Sequence, residues 1–566
     1  MLSAFSRFGR LGASGTRSLA AQVASIFSDG TQGLIHDLDD WGTLYQDSAG
    51  TTPVTALEQS VGLILDKSKG LVLGPELVTN GDFSTDSGWA KGAGWTISGG
   101  TANASASTAT ANPGFSQSSI ALAPGKFVRW SVSVSGLVGS ITFRLYGSAG
   151  SDILASISAN GTYSGIAVVR SDSIGLIGFA HNAGTIATID NISVRELPGN
   201  HAYQPTSTSR AVLSRRVNLL TKTEDFADAV WTKSGTGTGS SPVVTPDAGI
   251  APNGTLTADR VDFDRGAGNT SSDRSTLVSY PTVVSAQYTG GFWIKATTAG
   301  DVGKTLLFRQ VAGLGYQSIT LTSEWVLITK TETGSSGNFE IASRGGYTSS
   351  NQVSVLLWGA SLLPADLASL PYQRVNTTTD YDSDASKFPT FLRTDGVDDG
   401  YVTNAIDFSA TDKIYVGVGI RKLSDAARAV VYDLGNVLTA NTFDIEAPSG
   451  GAAASYSFRS AGSAIQGAVS SGYAAPISSV VSGIGDIAGD RSTLRINGAQ
   501  VAQNTGDQGS GNYSNAALNM FRRQSSTLPF NGWYFGGVIA GKTLTAAQIS
   551  AVERWLAGKT KTVVLA

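Results

Sequence analysis

The 566 residues contain no cysteine. Disulfide frameworks, thiolate metal sites and thiol nucleophiles are therefore excluded together. Charge is scarce too: 15% of residues are charged, with a formal net of −3. That balance gives no reason to expect nucleic acid or an acidic membrane surface as a partner. No run approaches the ~20 apolar residues of a membrane-spanning helix, so no membrane insertion is expected. Nor does any apolar segment suit a secretory signal. Arg7, Arg10 and Arg17 precede the first acid, Asp29, which matches a transit peptide in composition only. Histidine is limited to His36, His181 and His201, in three separate segments, an arrangement that argues against a triad or a histidine-based zinc site. Gly300–Thr305 (GDVGKT) ends like a phosphate loop, but Thr298 stands where its first glycine belongs, and no G-x-S-x-G elbow occurs. These absences argue against an enzyme. They leave one class open, since a carboxylate glycosidase carries no local signature.

What is abundant is glycine, 68 residues, with Ser, Thr, Ala and runs of Val, Ile and aromatics. That mixture suits sheet-rich domains with many tight turns. The chain is too long for one core, and three or four domains are expected. One design occurs twice. Glu76–Ser98 (ELVTNGDFSTDSGWAKGAGWTIS) and Asn218–Ser234 (NLLTKTEDFADAVWTKS) both run from an apolar pair through a polar turn to Asp-Phe and then Trp. Asp82-Phe83 matches Asp225-Phe226, and Trp89 matches Trp231. The ends Ile186–Pro198 and Val353–Pro364 also echo each other, marking one module present twice. Short alternating runs lie between them, such as Val128–Val134 with Val128, Trp130, Val132 and Val134 on one face.

The expected fold class is mainly β: tandem β-sandwich (jelly-roll) domains behind a small mixed N-terminal anchoring segment. Its parts are an N-terminal segment 1–73, a first module 75–198, a linker 199–217, a second module 218–375 and a different sandwich 386–566. Leu19–Phe27 has helical spacing, and Leu544–Leu556 is a helix capped by Thr545 and Gln548. Asn497-Gly498 reads as a hairpin tip.

On these residues the chain resembles known families. Residues 75–198, with the N-G-D-F opening and the closing Ile189–Val194 (IDNISV), resemble jelly-roll carbohydrate-binding modules, and 218–364 look like a diverged copy. Residues 386–566 resemble the laminin-G-like or concanavalin-like lectin sandwich, through FLRTDGVDD, LRINGAQV and the Gly532–Val538 strand before the last helix. This order of parts, with LYQDSAGTTPVTALEQSVGLILDKS ahead and GNHAYQPTSTSRAVLSRRVNLL between, resembles tail-fibre and adhesin proteins of tailed-bacteriophage virions. The resemblance implies a non-enzymatic virion protein for host attachment, contacting other virion proteins through the N-terminal segment and host-surface polysaccharide through the sandwiches, as a homo-oligomer, commonly a trimer in such fibres. It also implies a structural calcium at Asp82 and Asp190, although Ser84 replaces the glutamate usual after the opening Phe.

Sugar binding needs flat apolar faces with a few fixed polar groups. Trp95, beside a Gly-rich turn, is a candidate platform, and Tyr401, Tyr473, Trp533 and Tyr534 are candidates for a lectin-type groove; Trp130 and Trp358 read as core. The acidic turn Asp395–Gly400 fits simple turn chemistry, calcium, or a carboxylate pair for glycoside hydrolysis. Two rival readings stand beside attachment. One is a capsid-decorating or collar protein that binds no glycan. The other is a polysaccharide-degrading tail enzyme dependent on Asp398 and Asp399.

Overall fold

The computed structural model describes residues 17–106, 109–311, 315–347, 349–435, 440–524 and 527–566. It is mainly β, as expected, and its sheets are antiparallel. Two five-stranded sheets form the first sandwich. One runs Gly150–Ile157, Ile141–Gly147, Ser173–His181, Ala111–Gln117, Ala90–Lys91; the other runs Gly161–Val168, Phe127–Val138, Ile186–Glu196, Thr101–Ala104, Trp95–Ser98. The second sandwich repeats this strand for strand. Thr305–Val311 takes the place of Ile141–Gly147, Ala286–Ala296 that of Phe127–Val138, and Gln352–Pro364 that of Ile186–Glu196.

The repeated opening is built the same way in both copies. The indole Nε1 of Trp89 donates to the carbonyl of Asn80 at 3.1 Å, and that of Trp231 donates to Lys222 at 2.9 Å, each nine residues back. Asn80 and Lys222 both adopt positive φ, 52° and 53°, which turns their carbonyls toward the ring. A buried indole N–H needs such a partner, so ring and turn fix each other. Both tryptophans then enter aromatic cores. Trp89 and Trp95 lie on either side of Phe115 at 4.9 and 4.7 Å, while Trp231 packs against Phe226 and Phe339.

The remaining chain departs from expectation. Residues 199–217 do not run free between domains, and the described part of 1–73 does not stand apart: both add strands to the last sandwich. Strand Gly33–Asp37 pairs with Gly532–Ala540. A Cβ on Gly33 would meet the Ile539 carbonyl oxygen at 1.9 Å, so only glycine allows this approach. Leu44–Tyr45, Leu63–Ile64 and Ala202–Tyr203 extend the opposite sheet onto Tyr401–Asp407, and Val212–Ser214 pairs with Phe391–Arg393. One core results, in which Leu34, Leu44, Val61, Ile64, Ala202 and Leu213 pack with Ile414, Val431, Phe458 and Ile539.

Buried Asp66 locks the pieces. It accepts from the amides of Ile35 (2.8 Å), Ser68 (2.7 Å) and Asn200 (2.8 Å), while its own N–H donates to His201 Nδ1 at 2.8 Å. Helix α1, Leu19–Ser25, and the turn that ends it pack through Val23, Ile26 and Phe27 with Val552, Trp555 and Leu556 of helix α2, Ala546–Thr560. The capping box of Thr545 and Gln548 is present. So is the Asn497-Gly498 hairpin, with φ of 49° and 87°. The C-terminal sandwich is thus composite, made from three stretches of chain, with the two repeated sandwiches inserted between them. Tyr45, Leu63 and Leu65 pack on Phe127 and Leu197 of the first, and Phe391 and Trp533 pack with Leu363 of the second.

Candidate functional site

The residues singled out for sugar contact are mostly buried, and they do not form one groove. Trp95 is 5% exposed, and its indole donates to His181 Nε2 at 3.0 Å. Tyr401 is fully buried, its hydroxyl on the carbonyl of Val61 at 2.7 Å. Trp533 and Tyr534 are neighbours on one strand and so face opposite ways. Tyr534 enters the core, 2.7 Å from the Tyr432 hydroxyl and 3.2 Å from His36 Nδ1. Trp533 has Phe391 stacked at 3.9 Å, and the Arg421 guanidinium lies 4.8 Å from its ring centroid. Tyr473 is partly buried against Tyr456. As exposed platforms, Trp95, Tyr401, Trp533 and Tyr534 are ruled out by burial.

The carboxylates expected to bind calcium are occupied locally. Asp82 accepts from the N–H and Oγ of Ser84, and Asp190 accepts from the backbone and side-chain amides of Asn191. Calcium takes six to eight oxygens. Among the described residues neither belongs to a group of three or more acidic or histidine side chains. The acidic turn does gather Asp395, Asp398 and Asp399, with one oxygen of each within 4.8 Å of the others. It works as a staple: Asp399 accepts from the Asp395 amide at 2.9 Å, and Asp398 accepts from Ser209 Oγ at 2.8 Å. Burial first, then Asp395 and Asp398, push the Asp399 carboxyl up to about 6.

A different cluster has the chemistry that sugar contact requires. On strand Ala286–Ala296 of the second sandwich, Tyr288, Phe292, Ile294 and Ala296 enter the core, which leaves Trp293 and Lys295 on the outer face. On Gln352–Pro364, Val353, Val355 and Leu357 point inward, leaving Leu356 and Trp358 outward. Trp293 and Trp358 stand opposite each other across the ladder. Trp325 and Tyr372 complete the group, with Tyr372 4.9 Å from Trp358 and Lys295 Nζ 5.4 Å from the Trp325 ring centroid. Trp293 and Trp325 are half-buried, and exposed Ile250, Leu256 and Leu327 belong to the same sandwich. The indoles are held at their edges: Trp325 Nε1 donates to the Ile250 carbonyl at 3.1 Å and Trp358 Nε1 to Thr257 Oγ1 at 3.0 Å. In the first sandwich the matching strand carries Arg129, Ser131 and Ser133 where the second carries tryptophan and lysine. The two copies share a core and differ in what they present.

A polar cavity of about 180 Å³ adjoins the aromatic group, lined by Glu224, Asp225, Asp247, Thr257, Arg374 and Asn376, among others. Thr257 and Tyr372 join the two parts. The Tyr372 hydroxyl is 2.8 Å from Thr223 Oγ1 and donates to Glu224 Oε1 at 3.1 Å. Burial raises the Glu224 carboxyl above its ordinary value and the Tyr372 phenol well above its own. Aromatic faces beside fixed carboxylate, amide and guanidinium groups can hold a sugar ring by its C–H surface and its hydroxyls together.

No protein-family model matches the chain, and no curated protein matches it. Solved structures give partial likenesses. The tandem CBM22 domains of Paenibacillus barcinonensis Xyn10C align over 52% of this chain and 98% of theirs, at 13% identity and a TM-score of 0.21. The CBM40 domain of Ruminococcus gnavus IT-sialidase, bound to α2,3-sialyllactose, aligns over 25% and 83%, at 15% identity and 0.21. Domain 4 of the Geobacillus stearothermophilus arabinanase AbnA, in complex with arabinotriose, aligns over 32% and 83%, at 13% identity and 0.24. None of these likenesses reaches the level at which one chain's ligand transfers to another.

Proposed function

We propose that this chain is a non-enzymatic attachment protein that holds surface glycans on its β-sandwiches, and that it works on the virion of a tailed phage. The observation that carries the glycan reading is the outward group Trp293, Trp325, Trp358 and Tyr372 beside the polar cavity at Glu224 and Arg374. The outer face of a sandwich sheet is ordinarily polar, since only the inner face is paid for by burial. Trp293 and Trp325, half-buried on that face, leave ring surface for a ligand, with Trp358 buried beside them and the N–H groups of Trp325 and Trp358 already bonded. A single shallow site binds weakly, and several copies on one particle turn weak contacts into firm attachment. The virion placement is supported by the order of parts and by the motifs of the leading and connecting stretches.

The test is to incubate the intact chain with an array of bacterial surface polysaccharides. Retention on at least one glycan is expected, with Trp325→Ala weakening it about 10-fold. No retention at high protein concentration would remove the glycan reading, and absence of the chain from purified phage particles would remove the virion reading.

A further inference from the structure

A second cavity, of about 470 Å³, lies where the second sandwich meets the composite one. That volume is in the range of small-ligand pockets, ~300–1,000 Å³. Its lining includes three guanidinium groups, Arg216, Arg393 and Arg421, and no carboxylate. The countercharges lie outside the lining and are too few. Arg421, fully buried, pairs with Asp366 at 2.7 Å, and its Nε has no partner among the described residues. Arg393 reaches Glu58 at 3.2 Å. The Arg216 guanidinium donates to the carbonyls of Asn218, Leu219 and Leu220, at 3.2, 3.3 and 3.4 Å, and pairs with no carboxylate among the described residues. Burial, and then the charge of Arg393, lower its basicity.

Like charges gathered in one cavity repel unless something neutralises them, most of all beside the fully buried Arg421. Guanidinium forks match a planar carboxylate best. Val284, Tyr288 and Trp533 supply apolar wall beside them. We infer that this cavity takes a carboxylate-bearing sugar, a uronic or sialic acid unit, with Arg216 and Arg393 gripping the carboxylate and Arg421 reinforcing the field. The sugar part of this inference rests on the glycan reading above; the anion part does not.

The test is to titrate the intact protein with glucuronate, N-acetylneuraminate, glucose and inorganic phosphate by calorimetry at two salt concentrations. At least one of the two acids binds, more weakly at higher salt, and glucose does not. Arg393→Gln and Arg216→Gln each weaken that binding about 10-fold or more. Arg393 has a side chain 44% exposed, so its substitution disturbs the fold less than that of Arg216 and keeps the test valid should Arg216→Gln fail to fold. Trp325→Ala leaves acid binding unchanged, which separates this site from the aromatic face. Failure of both acids to bind, equal binding of glucuronate and glucose, binding of phosphate alone, or indifference to Arg393→Gln would each overturn the inference.

Discussion

At the scale of single residues, burial decides which groups support the fold and which meet a ligand. Trp231 is fully buried with its N–H satisfied, whereas Trp325 is half-buried at a surface. Trp231→Ala should therefore lower stability by about 3–5 kcal/mol in denaturant melts. Trp325→Ala should cost a small fraction of that and act on binding instead.

Titration follows the same logic. Burial, aided by the charge of His201, lowers His36 to about 3, and burial lowers His201 to about 4. The folded protein binds these protons less readily than the unfolded chain, so their contribution to stability is complete above about pH 6.5 and is lost as pH falls toward 4. Asp433 opposes them. Burial and Asp444 raise it to about 7, so the folded state keeps its proton and this contribution is lost as pH rises from about 4 to 7. Proton-detected titration should find His36 and His201 neutral at pH 5, and Asp433→Asn should flatten the loss of melting temperature between pH 5 and 8. A His201 midpoint near 6.5, or an Asp433→Asn protein with the unmodified pH slope, would contradict this account.

At the scale of elements, the repeated openings were legible because each end of the module carries its own chemistry: an apolar pair, a turn, and a Trp aimed back at it. The final helix was legible through Thr545 and Gln548, and the hairpin through Asn497-Gly498. The strands of 1–73 and 199–217 were not. Leu44–Tyr45, Leu63–Ile64 and Ala202–Tyr203 have two residues each, too few for any period to register, and Ala202–Tyr203 joins Leu63–Ile64 to Tyr401–Asp407 from far along the chain on both sides. Trp358 is buried, as its alternation predicts, but the outward Trp293 was hidden for another reason. The ladder slips between Gly291 and Trp293, so the run GGFWIK does not tell which face Trp293 takes. The groove expected from Trp533 and Tyr534 failed because neighbours on one strand cannot share a face. These pairings make a direct prediction for hydrogen exchange: the amide of Ile35, held by Asp66, and the alternate amides of Gly33–Asp37 that enter the ladder should be strongly protected. Fast exchange confined to Leu34–Asp37 would mean that this strand is not part of the sheet.

At the scale of the molecule, two copies of one sandwich are inserted into a third whose core is gathered from three stretches of chain. The leading stretch cannot then be removed without damage. A chain beginning at residue 75 loses α1 and the Gly33–Asp37 strand, which uncovers Val538, Val552 and Leu556. It should be insoluble or bind hydrophobic dye strongly. A soluble, cooperatively melting 75–566 fragment would contradict the composite core. The same design separates roles, since one unit gathers residues before, between and after the inserted copies, whose outer faces differ.

The most direct test is hydroxyl-radical footprinting of the intact protein with and without the polysaccharide it retains. Protection should centre on Trp293, Trp325, Ile250 and Leu327 of the second sandwich, with the equivalent face of the first unchanged. Protection that spares all four of these residues while the glycan remains bound would contradict the account.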